Sequence, residues 1–320
     1  MKKPASEKNP QSIWLDTDIG DDTDDLFALA LILASPELKL AGISTVFGRT
    51  DERVRLARTF LAINGRETDV PVHAGCGGHI PCTMHTWMSP QPFWPNGPGQ
   101  GAPIAQIGCA WLEERLSNPA PAHGVEALAA QLRAHPGQTI PIAIGALTNL
   151  ATLLLREAEL KKTIPRLIVM AGEFKTPKWE WNVRCDPLAA AVVFDSGIPV
   201  EVIPWEIGVS CTVSPAQLER LFARRTRVGR FLTRAVRLWR KAKYTPGHAA
   251  MPHLFDPMAV AALTRPDWFT WRRGRVAVSF DPDTFGHTRF TADARGPHRV
   301  AWDVRAKPAV RTVWSRILSH

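Results

Sequence analysis

The chain has 320 residues, 45% hydrophobic and 22% charged, enough to bury a large core in one large domain or two small ones. It contains no run of about 18 apolar residues, which excludes a membrane-spanning helix. The net charge of +9 would admit a polyanionic partner, but much of it is concentrated in one segment and describes a surface before it describes a function.

The opening MKKPASEKNPQS is polar and carries no apolar stretch after its lysines, so it is not read as a secretory signal. Residues 1–11 are expected to be a flexible N-terminus and 12–320 a single domain. Apolar runs predict strands at Ile13–Leu15, Leu40–Thr45, Val70–Ala74, Ile140–Ile144, Leu167–Ala171 and Val200–Pro204. Helical patterns lie between them at Asp25–Ala34, Glu52–Ile63, Gly124–Ala134, Leu150–Ala158 and Pro187–Asp195. This alternation predicts an α/β fold, a mostly parallel open sheet with helices on both faces and a Rossmann-like core. Residues 79–101, rich in Pro, Gly and Trp, read as a long ordered loop or lid. Arg220–Lys243 holds ten basic residues, with Leu218, Leu221, Phe222, Val228, Phe231, Leu232, Ala235 and Trp239 at helical spacing. It predicts one long amphipathic helix with a solvated basic face, so a nucleic-acid partner is not expected. The five cysteines form no CxxC pair and read as reduced thiols of a cytoplasmic protein.

The first strand runs into DTDIGDDTDD, Asp16–Asp25, in which six of ten residues are aspartates. Carboxylates this close raise one another's pKa. Helix capping at Asp22, Asp24 and Asp25 would account for one or two of them. A hard, oxygen-seeking divalent cation accounts for six, because it collects carboxylates from a strand end and the following turn.

The segment DTDIGDDTDDLFALALILASPELKLAGISTVFG resembles the opening of the inosine-uridine-preferring nucleoside hydrolase family, with its DxDPGxDD and VxGN signatures. TDVPVHAGC is similar to that family's PVxxG strand, and IAIGALTNLATLL to its GPLTNxA. EWNVRCDPLAAAVVF resembles EFNxxxDPxAA, and FDPMAVAAL resembles HDPxAVA. These five segments follow the family's order over residues 16–263. The resemblance implies a calcium-dependent hydrolase of the N-glycosidic bond of a ribonucleoside or related ribosyl compound. It implies Ca²⁺ held by Asp18, Asp25, the Thr148 carbonyl and Asp256, with Asp18 as the base that activates water. It places Asp24 and Asn182 on ribose hydroxyls, Glu180 on the sugar's 5′ side, and a small-molecule ribosyl substrate in a homo-oligomer, dimer or tetramer.

The departures carry information too. Two extra residues lie within the aspartate motif, and the buried phase of the helix selects Asp24 and Asp25 as the paired aspartates. Asp22 then stays beside the substrate and is an alternative ligand. The asparagine of VxGN is Arg49, a permanent cation at the sugar site that would favour an anionic substrate group. Where purine-active members carry a histidine stands Phe255, which can stack on a base and cannot protonate it. His253, His248, His79 and His85 are the candidate substitutes. Trp87, Phe93, Trp94, Trp179 and Trp181 are candidates to close over a base, and the family's 5′-contact asparagine falls on Phe174. Asp186 and Asp256 each precede Pro in an apolar helix and read as N-caps, Asp256 with a ligand role besides. Two other readings stand: a non-catalytic relative that only binds a ribosyl ligand and, more remotely, an aspartyl-nucleophile phosphatase of the haloacid-dehalogenase type.

Overall fold

A computed structural model describes residues 9–80, 104–110, 122–243 and 250–319. Its first half runs β1 (Gln11–Thr17), α1 (Asp24–Leu33), β2 (Leu38–Thr45), α2 (Thr50–Ile63), β3 (Val72–Ala74), α3 (Gly124–Ala134), β4 (Thr139–Ala143), α4 (Thr148–Arg156) and β5 (Leu167–Met170). Then come α5 (Trp181–Cys185), α6 (Pro187–Asp195), β6 (Val200–Ile203), α7 (Trp205–Ser210), α8 (Pro215–Phe222), α9 (Arg227–Ala242) and α10 (Phe255–Thr264). The last elements are β7 (Phe269–Val278), β8 (Thr288–Ala292), β9 (His298–Val304) and α11 (Ala306–Leu318).

The nine strands of the described residues join one sheet in the order β3-β2-β1-β4-β5-β6-β9-β7-β8. The seven from β3 to β9 are parallel, and β7 and β8 add an antiparallel edge. The inner strands are short apolar runs because helices cover both their faces. One core, built on Ile13, Leu15, Ile43, Ile142 and Ile168, meets α1, α2, α9, α10 and α11. The other, built on Trp14, Ala143, Val169 and Val202, meets α3, α4 and α6. Helix α1, apolar almost all round, is buried from Asp24 to Ile32 and packs on α10 and α11. The mostly parallel α/β sheet expected from the sequence is the one observed.

The single long basic helix is corrected to two, α8 and α9, separated at residues 223–226. Thr226 accepts a hydrogen bond from Gly229 N (3.0 Å) and so opens a new helix there. The N-cap role of Asp256 is also corrected. Helix α10 begins two residues earlier than that cap would place it, its N-cap is Leu254 with no side-chain bond, and Asp256 lies inside the first turn. Asp186 does cap α6, accepting from Ala189 N (2.9 Å). Strands β7 to β9 had no counterpart among the predicted elements. Of the long loop, only His79 and Ile80 fall within the described residues; His85, Trp87, Phe93, Trp94 and His248 lie outside them.

Candidate active site

Strand order reverses between β1 and β4, with β2 and β3 on one side and β5 and β6 on the other. Ligands of open α/β sheets bind beyond the carboxyl ends of strands at such a point. Here β1 delivers Asp16, Thr17 and Asp18, while β4 leads through Gly145 to Thr148 at the start of α4. Gly145 lies against Asp18: a Cβ built on it would sit 2.9 Å from the Asp18 carboxylate.

Two helices complete the site. The first turn of α1 presents Asp24 and Asp25, and the first turn of α10, packed beside it, presents Asp256. One carboxylate oxygen from each lies within 4.8 Å of the others, and all three residues are buried. Burial pushes all three pKa values well up, and repulsion adds to it: Asp22 and Asp18 act on Asp24, Asp18 and Asp24 on Asp25, and Asp24 and Asp25 on Asp256. The Thr17 hydroxyl donates to Asp25. Oxygen donors without a nitrogen or sulfur among them suit a hard cation, and a cation would remove the cost of crowding them.

Asp18 stands outside that tight triad and is half-buried. Burial raises its pKa to about 6, against the nearby Arg53 guanidinium and with the help of Asp21. Asp22 is half-buried, accepts from Thr23 N (2.7 Å), and its charge reaches both Asp24 and His253. Asp16 is buried, accepting from Ser44 and from Asn149 Nδ2 (2.7 Å), with its pKa raised to about 7 by burial. The Thr148 hydroxyl donates to Asp186 Oδ2 (2.8 Å). Asn182 ties the ends of β4 and β5 together, its Nδ2 donating to Ile144 O (3.1 Å) and Met170 O (2.9 Å). Glu180 caps α5, accepting from Asn182 N, Val183 N and Gly172 N at 2.7–3.1 Å, and burial still lifts its pKa to about 7.

Arg49 is exposed and pairs with Glu52 (2.8 Å). Arg53, one turn further along α2 and fully buried, reaches the aspartate loop. Sequence reading missed it, although an arginine in line with Leu56, Ala57 and Phe60 on an apolar stripe was a legible signal. It also missed Asn149, which takes Cys76 N (2.8 Å) while donating to Asp16, and Gln106.

The Phe255 ring lies over Gly208, where a Cβ would come within 1.9 Å of it. Its neighbour His253, ring centroids 5.3 Å apart, has Nδ1 bonded to the Thr212 hydroxyl (2.9 Å), and burial lowers its pKa. His79 Nδ1 lies 3.0 Å from Ile80 O. Phe174 packs on Phe290, Trp181 is edge-on to Phe47, and the Arg184 guanidinium lies 4.0 Å over Trp179.

A mostly parallel sheet with a buried cluster of carboxylates at its switch point defines an α/β protein with a donor set suited to a hard cation. The chain belongs to the inosine-uridine preferring nucleoside hydrolase family, whose pattern it matches over residues 13–313. It is 26% identical to uridine nucleosidase 1 of Arabidopsis thaliana, covering 96% of this chain and 93% of that one. It is 31% identical to the pyrimidine-specific ribonucleoside hydrolase RihA of Citrobacter koseri, covering 81% and 80%. A solved plant nucleoside hydrolase superposes with a TM-score of 0.81 at 24% identity, over 97% of this chain and all of that one. No helix among the described residues is long and apolar enough to cross a membrane.

Proposed function

We propose that the chain hydrolyses the N-glycosidic bond of a ribonucleoside or related ribosyl compound with Ca²⁺ as its cation. The observation that carries this reading is the buried Asp24–Asp25–Asp256 triad beside Asp18 at the carboxyl end of β1. Asp24, Asp25 and Asp256, joined by Asp18 and the Thr148 carbonyl, would hold the ion. Bound there, Ca²⁺ would supply Lewis-acid contacts to the ribose hydroxyls and to a water. Asp18, whose pKa burial raises to about 6, would act as the base that accepts the proton of that water. The ring of carboxylates favours the positive charge that develops on the anomeric carbon. Asp22, Asp24 and Asn182 orient the sugar hydroxyls, Glu180 shapes the 5′ side through the turn it caps, and Phe255 offers a face for the base.

Phe255 also motivates a second reading, a protein that binds a ribosyl ligand without cleaving it, since phenylalanine donates no proton to a leaving base. The experiment is a screen for released ribose across purine and pyrimidine ribonucleosides, nucleoside monophosphates and p-nitrophenyl riboside, in chelator and after Ca²⁺ is restored. Ca²⁺-dependent release supports the hydrolase, with inosine a poor substrate beside the activated riboside. Tight binding of nucleosides with no release from any compound supports the binder. We further infer a cytoplasmic homo-oligomer, dimer or tetramer, which light scattering on the purified protein would check.

A further inference from the structure

The aspartate loop between β1 and α1 is two residues longer than the DxDPGxDD pattern, and that extra chain has to be held in one shape if its carboxylates are to converge. Arg53 reaches it from below. Its Nε donates to Phe47 O (2.7 Å), Nη1 to the carbonyls of Asp18 and Ile19 (the latter 3.0 Å), and Nη2 to Asp21 Oδ2 (2.7 Å). The guanidinium is fully buried, and Asp21 belongs to the longer part of the loop. From the other side Gln106 binds the same loop, its N donating to Gly20 O (2.9 Å) and its side chain to Asp22 O (2.7 Å). Gly20, at φ 128°, has no room for a side chain because Ile104 fills that space, and Ile104 N is fixed in turn by Glu52 (3.0 Å). Adjacent residues of α2, Glu52 and Arg53, thus anchor both pieces.

We propose that Arg53 and Asp21 form a clasp that presets the longer aspartate loop for the divalent cation, making Arg53 a positioning residue of the metal centre. The inference rests on the metal reading given above. The planar fork of arginine explains the residue type: it serves three carbonyls and one carboxylate at once, and a lysine ammonium has neither the donors nor the directions to do so. Two effects oppose each other. The guanidinium repels a divalent ion, so deleting it should tighten binding electrostatically. It also fixes the loop, so deleting it should weaken binding by loss of preorganisation. With the bonds spread over Asp18, Ile19 and Asp21, the positional effect is expected to win. Removal of groups that orient ligands typically weakens metal affinity about 10–100-fold.

The test is titration of the chelator-stripped protein with Ca²⁺ by calorimetry and with Tb³⁺ by luminescence, for wild type, Arg53→Met, Arg53→Lys and Asp21→Ala. Circular dichroism and melting in chelator establish that each variant is folded. Arg53→Met should bind about 10–100-fold more weakly, with Arg53→Lys in between and Asp21→Ala weaker by several-fold. Binding by Arg53→Met as tight as wild type, or tighter, overturns the clasp. If Arg53→Met does not fold, Asp21→Ala and Gln106→Ala decide, and unchanged affinity in both overturns it. Wild-type protein that binds no divalent cation overturns the metal reading itself, and the clasp with it; normal wild-type binding with an indifferent Arg53→Met overturns the clasp alone.

Discussion

Asp256→Asn separates the two consequences of crowding carboxylates around a cation. The substitution keeps the size of the side chain and removes one charge from the triad. The three ligand atoms lie within 4.8 Å of one another. At an effective dielectric of about 20, two unit charges at that distance repel by roughly 3.5 kcal/mol. Metal-free protein relieves this by retaining protons, which is why burial and mutual charge drive all three pKa values upward. In chelator, Asp256→Asn should therefore melt above wild type by about a few degrees. With the cation present the sign inverts. The lost attraction is at least of the same size, and roughly 3.5 kcal/mol corresponds to two to three orders of magnitude in Kd. Differential scanning fluorimetry with and without Ca²⁺, backed by calorimetric titration, reads both effects. A variant that keeps the wild-type Kd and the wild-type Ca²⁺-induced rise in Tm would refute the assignment of the triad as the metal centre.

Other outcomes follow from the same geometry. Asp18→Asn should keep the fold and lower kcat by about 10²–10⁴, the usual worth of a general base; unchanged turnover would move that role to Asp22 or Asp24. Asp16, Asp18 and Glu180 have native pKa values raised to about 7, 6 and 7. The metal-free native state thus binds more protons than the unfolded chain between about pH 4 and 7, so its stability should fall as pH rises through that window. Ca²⁺ affinity should rise over the same window, because the ligands must ionise; a metal-free Tm that climbs toward pH 7.5 contradicts this. Phe255→His should raise kcat/KM for inosine relative to p-nitrophenyl riboside by restoring a donor, and an unchanged ratio would show that the missing proton is not what limits purine cleavage.

The parallel half of the sheet was legible because strands β1 to β6 are covered on both faces and announce themselves as apolar runs such as LIVM and VEVI. Strands β7 to β9 were not, for a physical reason. Strand β7, FTWRRGRVAV, is largely exposed, and arginines of β7 and β9 lie on aromatic faces across the two strands, Arg272 at 4.0 Å over Trp302 and Arg299 at 4.7 Å over Trp271. Hydropathy registers those arginines as loop, since the partners that make them part of a sheet lie some thirty positions away. The split between α8 and α9 was hidden differently: the apolar positions on either side of residue 223 keep nearly the same helical phase, so only the capping preference of Thr226 marks the break.

In the candidate site, the aspartates could be read because six acids in ten residues are too many for one helix end to cap, and because Asp24 and Asp25 run directly into the apolar sequence LFALALIL and so form the first turn of α1. What holds those acids in place could not. Asn149, Arg53 and Gln106 act from α4, from α2 and from the segment 104–110, and each reaches the loop through a hydrogen bond to backbone or to one aspartate. No local pattern encodes such partners; only the fold brings them within 3 Å. The exposed Arg49 drew attention as the cation by its position in a known signature, whereas Arg53, four residues on, stands on the buried face of the same helix. A cation buried under a carboxylate centre has to be satisfied by something the sequence also supplies, and Asp21, one of the acids outside the triad, pairs with it directly while Asp18 and Asp25 add their charge. The longer aspartate loop and the buried arginine are therefore one feature: the added chain supplies Asp21, and Arg53 joins that carboxylate to the carbonyls of Asp18 and Ile19.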